Sequence, residues 1–211
     1  MSQLRITGQR ITTPRTLLAP ITVEDADEMI GVLAGRELYA FIGGQPPSVE
    51  QLRARYAKLV VGHSDDGLQD WCNWVVRTQA DSRAVGTVQA TVMSEGTRAE
   101  VAWIIGLPWQ GQGYASEAAR AVVRWLTEGG IAYITAHVHP DHAASAAVAR
   151  KAGQCHRRDL RRRAALCPRV GGCRLSSPTR SWTSRVAPKS CAGSVSAWSR
   201  WATCRRGDLG R

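Results

Sequence analysis

The chain has 211 residues with 28 Lys+Arg, 17 Asp+Glu and a formal net charge of +11, enough for one ordinary domain with chain to spare. The charge is uneven: residues 1–153 hold 14 basic and 15 acidic side chains, net −1, whereas residues 154–211 hold 14 against 2, net +12. This division excludes a uniformly basic protein.

Arg15 to Ile21 reads as a short first strand. Thr22, with Asp25 three residues on, resembles a capping box with Asp in place of Glu or Gln, and the acids Glu24 and Asp25 suit a first helical turn. Ala26, Ile30 and Leu33 then form an apolar stripe ending at Gly35. The apolar patch Tyr39-Ala-Phe-Ile42 is closed by Gly43-Gly44 and Pro46-Pro47. Ser48 with Gln51 makes a second capping box, opening a helix through Leu52, Tyr56 and Leu59 to about Val61.

The periodicity then changes. Trp71 to Arg77, Ala84 to Met93 and Glu100 to Ile105 are rich in Val, Ile, Thr and Trp. Joined by Ala80-Asp-Ser-Arg83 and Ser94-Glu-Gly-Thr97, they read as an antiparallel meander. After Gly106-Leu-Pro-Trp-Gln-Gly-Gln-Gly-Tyr114, a helix is expected from Ala115 to Glu128, with Ala115, Ala118, Ala119, Val122 and Leu126 on one face. Gly129-Gly130 stops it. Ile131 to Val138 reads as another strand, and Asp141 is placed to cap a last helix, His142 to Ala152, closed by Gly153.

Compartment is read from the same residues. The opening MSQLRITGQR shows no apolar h-region, and no apolar run reaches the ~18 residues of a membrane span. Cys72 is the one cysteine before residue 154, as a reducing compartment favours. A cytoplasmic domain without membrane contact is expected.

The segment Gln110-Gly-Gln-Gly-Tyr-Ala115 lies between an apolar strand and an amphipathic helix. Glycines leave backbone N–H groups open, and a helix N-terminus adds donors and partial positive charge, which suits a pyrophosphate. A plain strand-to-helix turn accounts for the glycines equally well. The stretch resembles the acetyl-CoA motif of the GNAT N-acetyltransferases, Q/R-x-x-G-x-G/A, with Gln110, Gly113 and Ala115 in place and Ile105 at the apolar position upstream. The likeness spans roughly residues 10 to 153. RTLLAPITVEDADEM and HPDHAASAAVARKAG are most similar to the branch that includes ribosomal-protein N-terminal acetyltransferases.

The resemblance implies an α/β (α+β) fold, a GNAT-like mixed, mostly antiparallel sheet flanked by helices. It implies acetyl-CoA as donor and a primary amine as acceptor, either a protein N-terminus or a small amine. The residues carried over to the acetyl-CoA site are Ile104, Ile105, Gln110, Gly111, Gln112, Gly113, Tyr114, Ala115 and His142.

Acetyl transfer needs a neutral amine, a polarised thioester and a protonatable thiolate. An α-amine with pKa ~7.7–8.0 makes a modest demand on a base, whereas lysine at ~10.4 needs more help. Glu100 stands where the family often keeps a carboxylate base, acting directly or through water; a solvated strand-end acid is the plainer reading. Ser145 matches the serine of the branch's N-x-x-S motif, near the CoA sulfur, or is simply a small helix-face residue. The motif's Asn is His142 here, and Ala149 stands where many relatives carry a tyrosine general acid. Trp74, Trp103 and Trp109 are either site walls or core, and Tyr39 and Phe41 are candidate substrate walls. His137, His139 and His142 suggest a metal, but no cysteine or carboxylate pattern completes a zinc set, so no metal is expected.

The chain therefore divides into a GNAT-like domain, 10–153, and a basic tail, 154–211, expected to lack regular structure. The tail has 13 Arg, 8 Ser, 5 Cys and 3 Trp, and no Ile, Phe, Tyr, Met, Asn or Glu. Gln154 stands where relatives place an aromatic. Such a composition is what a GC-rich gene gives out of frame, so a frameshift near Gln154 is the leading expectation, replacing the closing strands and weakening or abolishing activity. The rival is a nucleic-acid-binding protein whose basic tail contacts phosphates. Zinc binding lacks a C-x-x-C pair, and a disulfide scaffold conflicts with a reducing compartment.

Overall fold

The computed structural model describes residues 9–93 and 95–153. Every expectation about residues 154–211, including tail order, nucleic-acid contact and the frameshift, lies outside the described residues.

Ile11–Thr12 (β1) and Thr16–Pro20 (β2) form a tight hairpin, Ile11 facing Leu18. The expected single strand is thus the second arm of a pair. A two-residue strand carries no periodicity to read, and Thr13 closes the turn through bonds to Thr16. Two helices follow, Ala26–Val32 (α1) and Val49–Val61 (α2). The Asp25 carboxylate accepts the Thr22 amide at 2.7 Å, one half of the expected box. Asp25 itself is the N-cap, so the first-turn acids are Asp27 and Glu28 rather than Glu24 and Asp25. The buried stripe runs Ala26, Met29, Val32 and Leu33, with Ile30 at its margin. At α2 both halves of the box form: Ser48 Oγ accepts the Gln51 amide, and Gln51 Oε1 accepts the Ser48 amide at 2.8 Å.

The meander is Gln69–Thr78 (β3), Ala84–Met93 (β4) and Arg98–Ile105 (β5). Then come Tyr114–Glu128 (α3), Tyr133–Thr135 (β6) and Ala143–Gly153 (α4). The six strands form one sheet in chain order, antiparallel throughout except for the parallel β5–β6 pair. This is the mixed, mostly antiparallel sheet flanked by helices that was expected.

Helices cover both faces, so adjacent residues of a strand are buried in opposite directions and the strict alternation of a one-sided sheet is lost. Trp74 and Val76 join Leu18, Val88, Val101, Val122 and Leu126 beneath α3. Val75, between them, packs with Met29, Leu33, Leu52, Tyr56 and Ile104 beneath α1 and α2. Trp74 is core, 2% exposed. Its Nε1 donates to the Gln9 carbonyl at 2.9 Å, and Trp125 meets it edge-on at 5.3 Å. Arg77 binds β3 to α1, donating to Asp25 Oδ1 and Glu28 Oε2, both at 2.7 Å.

The strand expected over Ile131–Val138 is only Tyr133–Thr135. β6 pairs with β5 from Arg98↔Tyr133 to Glu100↔Thr135 and no further. Beyond that point the two segments part, and side-chain pattern alone does not disclose where backbone pairing ends.

Candidate active site

The parting of β5 from the chain after β6 opens a groove of about 740 Å³. Val101 to Ile105 of β5 line one wall and His137, Val138 and His139 the other. Gly86 of β4 lies so close to the end of β5 that a Cβ there would sit 2.1 Å from the Ile104 carbonyl oxygen. From Val101 onward, β5 has no strand on its β6 side among the described residues. That leaves backbone groups along the groove for an extended ligand.

The groove ends at the loop 106–113 and the first turn of α3. Gly111 and Gly113 adopt φ of 75° and 88°, the left-handed region that glycine enters without steric cost. Gly113 is the N-cap of α3, so the bend aims the N-terminal amides of a 15-residue helix at the groove. A Cβ on Gly111 would meet nothing within 4 Å; the space above it is open to a ligand. Gln110 Nε2 donates to the Ile105 carbonyl at 2.9 Å and fastens the loop to β5. A diphosphate fits the donors of this cradle.

Of the residues carried over, Ile104, Ile105, Gln110, Gly111, Gly113, Tyr114, Ala115, His142 and Ser145 all line the groove. Gln112 does not: its Nε2 donates to the Pro108 carbonyl at 3.0 Å, and its own carbonyl accepts from Arg15. Glu100 also stands outside the lining. Its side chain is 12% exposed, and Oε1 accepts no hydrogen bond from the described residues. His137 Nε2 lies 3.6 Å from that oxygen, on an imidazole that is 61% exposed and lines the groove. Burial raises the Glu100 carboxyl above its ordinary range, and the neighbouring imidazole partly offsets this.

His142 also caps α4. Its carbonyl accepts the first bond of α4, from Ala146 at 3.0 Å, and its Nδ1 accepts from the Ser145 amide at 3.4 Å. His142, rather than Asp141, is therefore the cap; imidazole here takes a place usually held by Ser, Thr, Asp or Asn. The ring stacks on Phe41 at 4.4 Å, and His139 lies 5.3 Å from the same phenyl. Burial, then the charge of His139, lowers the His142 pKa. Phe41 lines the groove, whereas Tyr39 is buried and donates to the Leu33 carbonyl at 3.0 Å. Trp103 and Trp109 line the groove as well. Among the described residues, no three His, Cys, Asp or Glu side chains gather as a metal site.

Three contributors carry no signal in the sequence pattern. His137 suggests only a metal ligand there, because nothing in the pattern places it beside Glu100. Arg15 and Glu117 meet beneath the loop, with Nε to Oε2 at 2.7 Å, across 102 positions of sequence. No local motif announces that contact.

A splayed parallel strand pair thus receives at its mouth a helix N-terminus delivered by a glycine-rich turn. Residues 15–154 match the family model described as an acetyltransferase (GNAT) domain, and the chain belongs to that family. Its fold is similar to a GNAT-family acetyltransferase from Bacillus anthracis, at 20% identity and TM-score 0.59, covering 69% of this chain and 82% of that one. It is also similar to RimL, the ribosomal L7/L12 alpha-N-protein acetyltransferase, at 18% identity and TM-score 0.59, covering 68% and 79%. Spermidine N-acetyltransferase from Vibrio cholerae, solved with CoA and spermine, matches at 18% identity and TM-score 0.55, covering 65% and 79%. No curated protein sequence matches the chain significantly.

Proposed function

We propose that residues 10–153 form an acetyl-CoA-dependent N-acetyltransferase domain acting on a primary amine, either a protein N-terminus or a small amine. We also propose that a frameshift near Gln154 has replaced its closing strands. The observation that carries the enzymatic reading is the groove between the parted strands, running into the open amides of loop 110–115. The relatives solved with CoA or acetyl-CoA support the same donor here. A cytoplasmic location is part of this reading; among the described residues no helix is long and apolar enough to cross a membrane.

The chemistry follows from the walls. The diphosphate rests on the α3 N-terminus, and the pantetheine arm runs along Val101 to Ile105, whose backbone N–H groups steady the oxyanion. The amine nitrogen attacks the thioester carbonyl carbon, the C–S bond breaks, and its electron pair leaves on sulfur. The ammonium proton passes to Glu100 by way of His137 or a water. Burial brings this carboxylate closer to the pH at which an α-amine is partly neutral, as a base requires. The Ser145 hydroxyl, on the groove wall, donates a hydrogen bond to the departing thiolate, which takes its proton from solvent. Holding amine and thioester together supplies most of the acceleration.

Calorimetry with CoA on the full chain tests the domain: saturable binding at micromolar to millimolar concentration is expected, and none from folded protein ends the reading. Thiol release in the presence of N-terminal peptides or polyamines, corrected for hydrolysis, tests transfer. Turnover well below that of an intact relative is expected, and equal turnover overturns the impairment. The other two reading frames past codon 153 test its cause. A continuation bearing glutamates and aromatics with strand periodicity is expected in one of them; stops in both count against it.

A further inference from the structure

The loop that receives the diphosphate carries no cation of its own. Between Arg98 and Arg120 no Lys or Arg occurs, while Glu100 and Glu117 do. Glu117 lies in the first turn of α3. An acid there stabilises a helix, but it spends the positive end of the dipole that an anionic ligand would otherwise meet.

Arg15, just before β2, answers that charge. Its backbone amide donates to Glu117 Oε1 at 2.8 Å and its Nε to Oε2 at 2.7 Å, while the Thr13 hydroxyl donates to Oε1 at 2.6 Å. Nη1 of the same guanidinium donates to the Gln112 carbonyl at 3.1 Å. The guanidinium carbon lies 5.1 Å from the centre of the Tyr114 ring, which lines the groove. Nη2 lies 3.3 Å from where a Cβ on Gly113 would be. One planar group therefore holds residues 112, 113, 114 and 117 in fixed relation. Lysine, a point charge without the fork, cannot reproduce that geometry.

We infer that Arg15 is a positioning residue for diphosphate binding: it cancels the Glu117 charge at the α3 N-terminus and sets the path of the loop through Gln112 and Tyr114. The inference rests on the acetyl-CoA reading above and adds to it a residue about a hundred positions from the motif. Arg15 is half exposed, at 52%, and Glu117 is 15% exposed. The pair is therefore accessible enough to be felt by a charged ligand and enclosed enough to be ordered.

Calorimetry with CoA on the full chain, at fixed salt, separates the possibilities. Arg15→Gln is expected to weaken CoA roughly tenfold, the scale of one lost charge-assisted contact. Arg15→Lys is expected to fall between it and the wild type. The double variant R15Q/E117Q is expected to bind more tightly than R15Q, because it removes the acid left uncompensated; a purely structural brace between these two side chains would instead leave the double variant no tighter than R15Q. Thermal melts accompany each titration, and if R15Q melts below the assay temperature, R15K against wild type carries the comparison. Wild-type binding with R15Q (or R15K in its place) within about twofold, or a double variant no tighter than R15Q, overturns this inference alone. Failure of the folded wild type to bind CoA overturns the acetyltransferase reading itself.

Discussion

Glu100 and His137 stand one behind the other at the point where β5 and β6 part, Oε1 to Nε2 at 3.6 Å, with the carboxylate below the groove wall and the imidazole on it. A base must be ionised to work, and burial raises this one. The transfer rate should therefore fall with decreasing pH at a higher pH than an ordinary glutamate near ~4.3 would give. Removing the imidazole in His137→Ala should push the carboxyl higher still, since His137 is what lowers it. Carbon-13 titration of the Glu100 carboxyl reads both shifts. Glu100→Gln should cut residual turnover by about 10²-fold or more, with CoA affinity unchanged; loss of both together would assign Glu100 to the binding site instead.

The same burial has a cost in stability. A carboxyl whose folded pKa is raised favours the folded state while protonated and opposes it once ionised. Glu100→Gln should therefore melt at a higher temperature than wild type at neutral pH and show no such advantage in acid. Equal melting curves at pH 7 would mean that the carboxylate is solvated in the native protein.

Glu28 behaves oppositely. Burial raises it, but the Ala84 amide and the Arg77 guanidinium together outweigh burial and leave its pKa lowered. Its contribution is present above the unfolded pKa and disappears as pH falls through the lowered folded value. Urea unfolding between pH 7 and pH 3 should show this loss in wild type and a smaller loss in Glu28→Gln. Arg77→Ala, which frees two carboxylates at once, should cost roughly 1–3 kcal/mol at pH 7.

His142 stands where the resemblance leads one to expect an asparagine, and it caps α4 through Nδ1. His142→Ala should cost about 1 kcal/mol, the usual loss of a cap. His142→Asn supplies a capping oxygen in place of Nδ1 and the side chain of the resembled motif, so stability should hold and CoA affinity should rise. Parallel melts and CoA titrations check both variants; an asparagine variant that binds CoA more weakly would make the imidazole itself, through its stack on Phe41, the ligand contact.

Gly113 caps α3 at φ 88°. An alanine there takes on about 1–2 kcal/mol of left-handed strain, and its methyl would press on Arg15 Nη2 at 3.3 Å. Gly113→Ala should therefore lose CoA affinity by more than it loses stability, as titration and melting of the same preparation would reveal.

Local chemistry is legible in the order of the residues alone. The Ser48–Gln51 box, the three strands of the meander and the loop Gln110 to Ala115 each depend on residues a few positions apart, and each stands where the pattern puts it. The family likewise follows from short motifs in the right order. Relations set by packing over long distances are not legible there. The end of β6 at Thr135 is decided by where the sheet opens, not by β-propensity. His137 meets Glu100 because β6 pairs with β5 as far as Glu100, and Arg15 meets Glu117 because the start of β2 lies beside the first turn of α3. Covalent neighbours determine caps and turns. Only the folded sheet decides which charged groups meet across long stretches of sequence, and the proposed chemistry depends on that.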